Sequence, residues 1–167
     1  IRTKELTGDV VLEDVHFEYI SGKPVLRGIN LHARPGETVA IVGPTGSGKT
    51  TIIQLLTRFY DVTSGRILLD GRNISDYAME NVRDHVGIVL QDTYLFSGTV
   101  RENIRFGRLD ATDEEVEEAA KIAYAHNFIK YLPEQYDTLL TSGGMNLSQG
   151  QRQLIAIARA ILEDPDI

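Results

Sequence analysis

Apolar residues fall on alternate positions through residues 11–19 (Val11, Val15, Phe17, Tyr19), with Asp14, His16 and Glu18 on the opposite side. That two-residue period predicts a half-buried β-strand. Residues 28–33 alternate again through Ile29, Leu31 and Ala33, and Arg34-Pro35-Gly36-Glu37 has the chemistry of a tight turn. Val39-Ala40-Ile41-Val42 is continuously apolar, which predicts a strand buried on both faces. A glycine-rich loop leads from it into a helical pattern from Thr50 to about Tyr60, with Ile52, Ile53, Leu55, Leu56 and Phe59 as its apolar set. Ile67-Leu68-Leu69 and the turn Asp70-Gly71 predict a further short strand, and residues 86–90 a second buried one ending at Gln91.

Beyond Gln91 the period changes to that of helices. Thr99 with Glu102, Thr112 with Glu115, and Ser148 with Gln151 have the spacing of capping boxes. The second opens a helix with Val116, Ala119, Ala120 and Ala123 on one face and Glu114, Glu117 and Glu118 on a solvated one. The third opens a helix through Leu154, Ile157, Ala158 and Ile161 that runs toward Pro165. No internal repeat, low-complexity tract or linker interrupts this order.

Composition narrows the classes. The 167 residues suffice for one domain with a real core, and 42% hydrophobic with 25% charged residues is ordinary globular usage. Without cysteine there is neither a disulfide nor a thiolate metal site, and His16, His32, His85 and His126 lack zinc-ligand spacing. Acidic residues outnumber basic ones 24 to 17, a net charge of −7, which argues against a nucleic-acid partner but not against a local phosphate site. The apolar runs, such as residues 154–158, are far below the roughly 20 residues of a spanning helix. The chain begins at Ile1 without a leader pattern and stops at Asp164-Pro165-Asp166-Ile167, so both ends read as cut from a longer polypeptide.

Gly43-Pro44-Thr45-Gly46-Ser47-Gly48-Lys49-Thr50 satisfies G-x-x-x-x-G-K-[ST] between a predicted strand and a predicted helix. The glycines let the backbone curl until successive N–H groups converge on phosphate oxygens, and the helix adds its positive end. Lys49 is placed to reach the terminal phosphates, and the Thr50 hydroxyl to bind Mg2+. The four fixed positions coincide by chance on the order of once in 200 chains of this length. Residues in this context predict a nucleoside triphosphate site.

Three further features make the sequence resemble the nucleotide-binding domain of an ABC transporter, over nearly its whole length. Gln91 in Val89-Leu90-Gln91-Asp92-Thr93-Tyr94-Leu95-Phe96, with Thr99-Val100-Arg101-Glu102-Asn103-Ile104 after it, is similar to the glutamine loop of ABC exporters. Leu147-Ser148-Gln149-Gly150-Gln151 resembles the family signature L-S-G-G-Q. Tyr19 precedes the phosphate loop as the adenine-stacking aromatic does in that family. Read from the residues alone, Tyr19 could equally be a strand aromatic, and residues 147–151 a plain capped helix start.

The resemblance implies an α/β fold: a P-loop NTPase parallel-sheet core with an N-terminal antiparallel β region, together about residues 10–90. A helical subdomain at about 91–147 and a signature helix at 148–162 complete it. It implies ATP and Mg2+ as ligands, with Tyr19, residues 43–50, Thr51 and Gln91 around the nucleotide and Thr50 and Gln91 at the metal. It implies that Leu147, Ser148, Gln149, Gly150 and Gln151 complete the ATP site of a second such domain packed head to tail, as a homo- or heterodimer. It also implies a transmembrane domain as partner, at the cytoplasmic face of a membrane, in a transporter of exporter type. Gln149 replaces the first glycine of the signature, a variant seen in similar exporters. Thr141-Ser142-Gly143-Gly144 stands where exporters often carry T-E-V-G, which weakens the case for cross-talk with the transmembrane domain. The magnesium-binding Asp and the catalytic Glu of the family belong to a strand that Ile167 would begin. The chain as given is therefore expected to bind ATP without hydrolysing it. The competing classes are an ABC importer ATPase, a soluble ABC-type ATPase and a binding-only module. No long heptad segment separates Lys49 from Ser148, against the long-armed soluble members, and residues 95–104 favour an exporter.

Overall fold

The computed structural model describes residues 2–167; Ile1 and the side chain of Ser142 lie outside the described residues. The chain divides into two units, one formed by residues up to 86 with Asp166 and Ile167, the other by residues 87–165.

The first unit is built on a four-stranded antiparallel sheet in the order β2-β1-β3-β4. Its strands are β1 (Val10–Glu18), β2 (Pro24–Ala33), β3 (Ser64–Leu69) and the two-residue β4 (Arg72–Asn73). Val10, Leu12, Val15 and Phe17 of β1 are the buried set. The expected face is thus right for Val15 and Phe17 and out of phase at Val11. The reason is a β-bulge: Asp14 has φ 46°, and the pairing of β1 shifts register between Leu12 and Val15. A bulge adds one residue to one strand and inverts the alternation beyond it. Gly65 makes room on β3, since a Cβ there would sit 2.2 Å from the carbonyl oxygen of Asp14.

Helix α1 (Lys49–Leu56) turns Ile52 and Leu55 into the core that Leu12, Leu26, Ile67 and Leu69 build from the sheet. It is shorter than its apolar pattern predicted, and Ile53 and Phe59 of that pattern are exposed, because only one helical face meets the sheet. Helix α2 (Met79–Asp84) follows a single 3-10 turn at Ile74–Asp76. Asp70, at the end of β3, anchors the N-terminal segment. It accepts hydrogen bonds from the Thr7 N–H at 2.6 Å, the Thr7 hydroxyl at 2.7 Å and the Asp9 N–H at 3.0 Å.

Two expectations fail at the level of local structure. Residues 39–42 and 86–90, read as buried strands, belong to no sheet among the described residues. Val42 is 88% exposed and Leu90 64%. A two-sided strand needs a backbone neighbour and an apolar layer on each face. Among the described residues neither segment has a strand neighbour, and of their residues only Val86 packs against the core of the first unit.

The second unit is helical: α3 (Val100–Arg105), α4 (Asp113–Ile122), α5 (His126–Ile129) and α6 (Gln149–Glu163), with β5 (Gly98–Thr99) paired to β6 (Leu139–Leu140). All three predicted capping boxes form in full, at Thr99, Thr112 and Ser148. Their helices bury Val100, Ile104, Val116, Ala120, Ile155 and Ala158 in one core. Buried Asn103 ties the segment before α3 in place, accepting from the Phe96 N–H at 2.9 Å and donating to the Phe96 and Thr99 carbonyls at 3.0 Å each.

Candidate functional site

The phosphate loop ends in a glycine that the backbone requires. Gly48 is the residue before α1 and has φ 89°; a Cβ there would lie 2.6 Å from Leu26 Cδ2. No side chain caps α1 and no acidic residue stands in its first turn. The N–H groups of that turn have no intrahelical acceptor by construction. The Lys49 ammonium donates to the Gly43 and Pro44 carbonyls, both at 2.8 Å, and the Ser47 N–H to the Pro44 carbonyl at 3.2 Å. The loop is thereby curled around a cation, and residues 43–51 contain no carboxylate. Free N–H groups, the positive helix end and an ammonium without a carboxylate partner fit a polyphosphate.

Tyr19 lies one residue beyond β1 and is 47% exposed, so it is not a strand aromatic of the core. The structure brings it to the phosphate-loop helix. Its hydroxyl lies 3.0 Å from Thr51 Oγ1 and donates to Gln54 Oε1 at 2.5 Å. Its ring meets Phe17 edge-on at 4.8 Å between centroids and Tyr60 at 5.2 Å. Gln54 is the residue that sequence reasoning missed. The available signal was a lone polar position, three residues after Thr51, inside an apolar helical run.

Gln91 and the signature lie in the other unit. Leu147 is buried, whereas Ser148, Gln149 and Gly150 are exposed. Ser148 Oγ accepts from the Gln151 N–H at 3.2 Å, and the Ser148 N–H donates to Gln151 Oε1 at 2.9 Å. Arg152 donates to the Leu147 carbonyl at 2.8 Å and so braces the turn before α6. Gln91 and Gln149 line one cleft of about 200 Å3 with Asp92, Thr93, Tyr94 and Arg152. Of the residues proposed at the metal, Thr50 is in the first unit and Gln91 in the second. Among the described residues no cluster of His, Cys, Asp and Glu could hold a metal ion by itself. A hydroxyl and an amide oxygen are hard ligands suited to Mg2+ only as supplements to phosphate oxygens.

Residues 26–167 match the family model described as ABC transporter. The chain belongs to the ABC transporter family. Its ABC relatives include the ABC transporter ATP-binding protein YfiC of Bacillus subtilis, 53% identical over 95% of this chain and 26% of that protein. The fatty acid ABC transporter ATP-binding/permease protein of Mycobacterium bovis is 50% identical over 97% of this chain and 26% of its own length. The solved structure of a bacterial Atm1-family ABC exporter with ATP bound superposes with a TM-score of 0.91 at 40% identity, covering 99% of this chain and 30% of that one. That superposition carries the ABC ATPase fold and its α/β class. The chain spans about a quarter of the length of the relatives it matches. No helix among the described residues is long and apolar enough to cross a membrane.

Proposed function

We propose that this chain is the ATP-binding part of an ABC exporter subunit. The observation that carries the reading is the convergence at one helix end. The uncapped first turn of α1, the Lys49 ammonium and the Tyr19 ring tied to α1 by its hydroxyl form one constellation. In this reading residues 43–51 and Lys49 hold the phosphates, and Tyr19 stacks on the adenine. Bound Mg2+ would neutralise phosphate charge, with the Thr50 hydroxyl and the Gln91 amide oxygen as the groups offered to it. Residues 147–151 act on the nucleotide of a second ATP-binding domain packed head to tail. The relatives named as ATP-binding/permease proteins support a transmembrane partner, and the cytoplasmic side of that membrane is the proposed location.

In this reading these residues bind and orient the nucleotide. None of them is assigned to activating the attacking water. Phosphoryl transfer depends mostly on positioning and charge stabilisation, and these residues are proposed for that part.

The test is complementation in the full-length protein. Ser148→Arg and Lys49→Ala subunits are each expected to be inactive alone. Mixed, the head-to-tail pair has one composite site with both lesions and one with neither, and ATP hydrolysis should return in part. If verified heterodimers stay inactive and Ser148→Arg also leaves ATP-driven dimerisation intact, the role in trans is wrong.

A further inference from the structure

The Tyr19 ring is held at its far end as well as at its backbone. Its hydroxyl sits against two side chains of α1, Thr51 Oγ1 at 3.0 Å and Gln54 Oε1 at 2.5 Å, which are neighbours on one helical face at i and i+3. The donors and acceptors run in one direction. The tyrosine O–H donates to the Gln54 carbonyl oxygen, leaving the phenolic oxygen to accept from the Thr51 hydroxyl, and such chains of hydrogen bonds polarise one another. Phe17 and Tyr60 meet the ring at interplanar angles of 89° and 86°, closing off its sideways rotation. The residue still keeps 47% of its surface exposed, so a ligand has access to it.

We propose that Gln54 is a positioning residue for nucleotide recognition. By accepting the Tyr19 O–H it fixes the base platform to the helix whose first turn faces the phosphates, so α1 itself sets the distance between the base subsite and the phosphate subsite. Gln54 touches neither base nor phosphate in this scheme. It acts through Tyr19, by removing ring motion that ligand binding would otherwise have to freeze. The proposal rests on the assignment of Tyr19 and residues 43–51 as the nucleotide site.

The discriminating probe is inorganic tripolyphosphate, which has the phosphates of ATP and no base. Calorimetric titrations of ATP and of tripolyphosphate, both with magnesium, are run on the full-length wild type and on Tyr19→Phe, Gln54→Met and the double variant. Each single variant should weaken ATP binding by about three- to tenfold, the scale of one hydrogen bond or one immobilised side chain. The double variant should be no weaker than the weaker single, because both substitutions remove the same bond. Tripolyphosphate affinity should stay within about twofold throughout.

Tyr19→Ala separates the two levels of failure. If it loses ATP affinity while Tyr19→Phe and Gln54→Met bind like wild type, the ring works unclamped and the positioning role is refuted. Equal losses for ATP and tripolyphosphate also refute it, because Gln54 then acts only through the integrity of α1. Should Tyr19→Ala itself bind ATP normally, the base-site assignment falls first and the proposal with it.

Discussion

Replacing Lys49 by alanine separates two jobs that the ammonium could hold. In the structure it donates to two carbonyls of its own loop, Gly43 and Pro44, at 2.8 Å each. If that is its whole purpose, Lys49→Ala costs loop stability and nothing else. Those acceptors are neutral and the contacts exposed, so the net loss is about 1 kcal/mol, a fall of roughly 2–4 °C in melting temperature. If the ammonium instead turns to phosphate oxygens when nucleotide binds, the variant loses one or two charge-assisted bonds. Each is worth about 1.5–3 kcal/mol. Part of that is offset in the wild type by the two carbonyl bonds it gives up. With two such bonds the difference is about 2–5 kcal/mol, a loss of roughly 30- to 4000-fold in affinity.

Titration calorimetry with Mg-ATP at fixed ionic strength measures that loss, and a nucleotide-free melt run beside it measures the loop. The expected outcome is a small shift in the melt and a large one in Kd. An unchanged Kd, or a Kd that weakens only as far as the folded fraction falls, would falsify the phosphate assignment and leave Lys49 as a loop staple.

Tyr19→Ala should weaken ATP binding by about 1–3 kcal/mol, the range of base–aromatic stacking, in the same titration. Tyr19→Trp should fall between it and wild type, since the indole keeps a π-face but cannot reproduce the hydroxyl's bond to Gln54. Burial pushes the Asp70 carboxyl up, but hydrogen bonds from Thr7, Asp9 and Gly8 outweigh that and hold it below the usual carboxylate range. Its contribution is therefore present above the unfolded pKa of about 3.9 and lost as pH falls through the lower folded value. Asp70→Asn should cost about 1–2 kcal/mol at pH 7 and progressively less toward pH 2, read from urea denaturation across that range. Ser148→Asp keeps a good cap but sets a negative charge where an anion is expected; its melt should match wild type while ATP-driven dimerisation disappears. Ser148→Ala should instead lower stability by about 1 kcal/mol.

Local chemistry was legible wherever a residue's partners lie within a few positions of it. The three capping boxes need only their own turns, and all form as read. The errors share the opposite cause. The phase of β1 was misread at Val11 because the bulge at Asp14 is accommodated by Gly65, some fifty positions away. The apolar runs at 39–42 and 86–90 report a preference for burial on two faces, but pairing is decided by which strands are available, and no periodicity encodes that. Gln54 escaped notice because its partner, Tyr19, is reached only through the fold. Asn103 was read as a letter in a motif, yet its side chain organises the turn before α3.

The first turns of the longer helices differ in how far their own sequence satisfies them. Every helix N-terminus has N–H groups in want of acceptors and a positive end. Helix α4 answers both from its own sequence, with Asp113, Glu114 and Glu115 in the first turn and Thr112 as the cap. Helices α1 and α6 carry no acid there. At α1 nothing caps the turn, and Lys49 adds a positive charge where α4 adds negative ones. At α6 the cap uses only part of what is on offer. Ser148 Oγ accepts one N–H, that of Gln151, so the N–H groups of Gln149 and Gly150 and the proton of the Ser148 hydroxyl remain as donors. Capping consumes an acceptor lone pair and anion binding consumes donors, so the two roles draw on different atoms of the same serine. A capped helix start can thus fold the second unit and, in the proposed head-to-tail pair, still offer donors to a phosphate held by another domain.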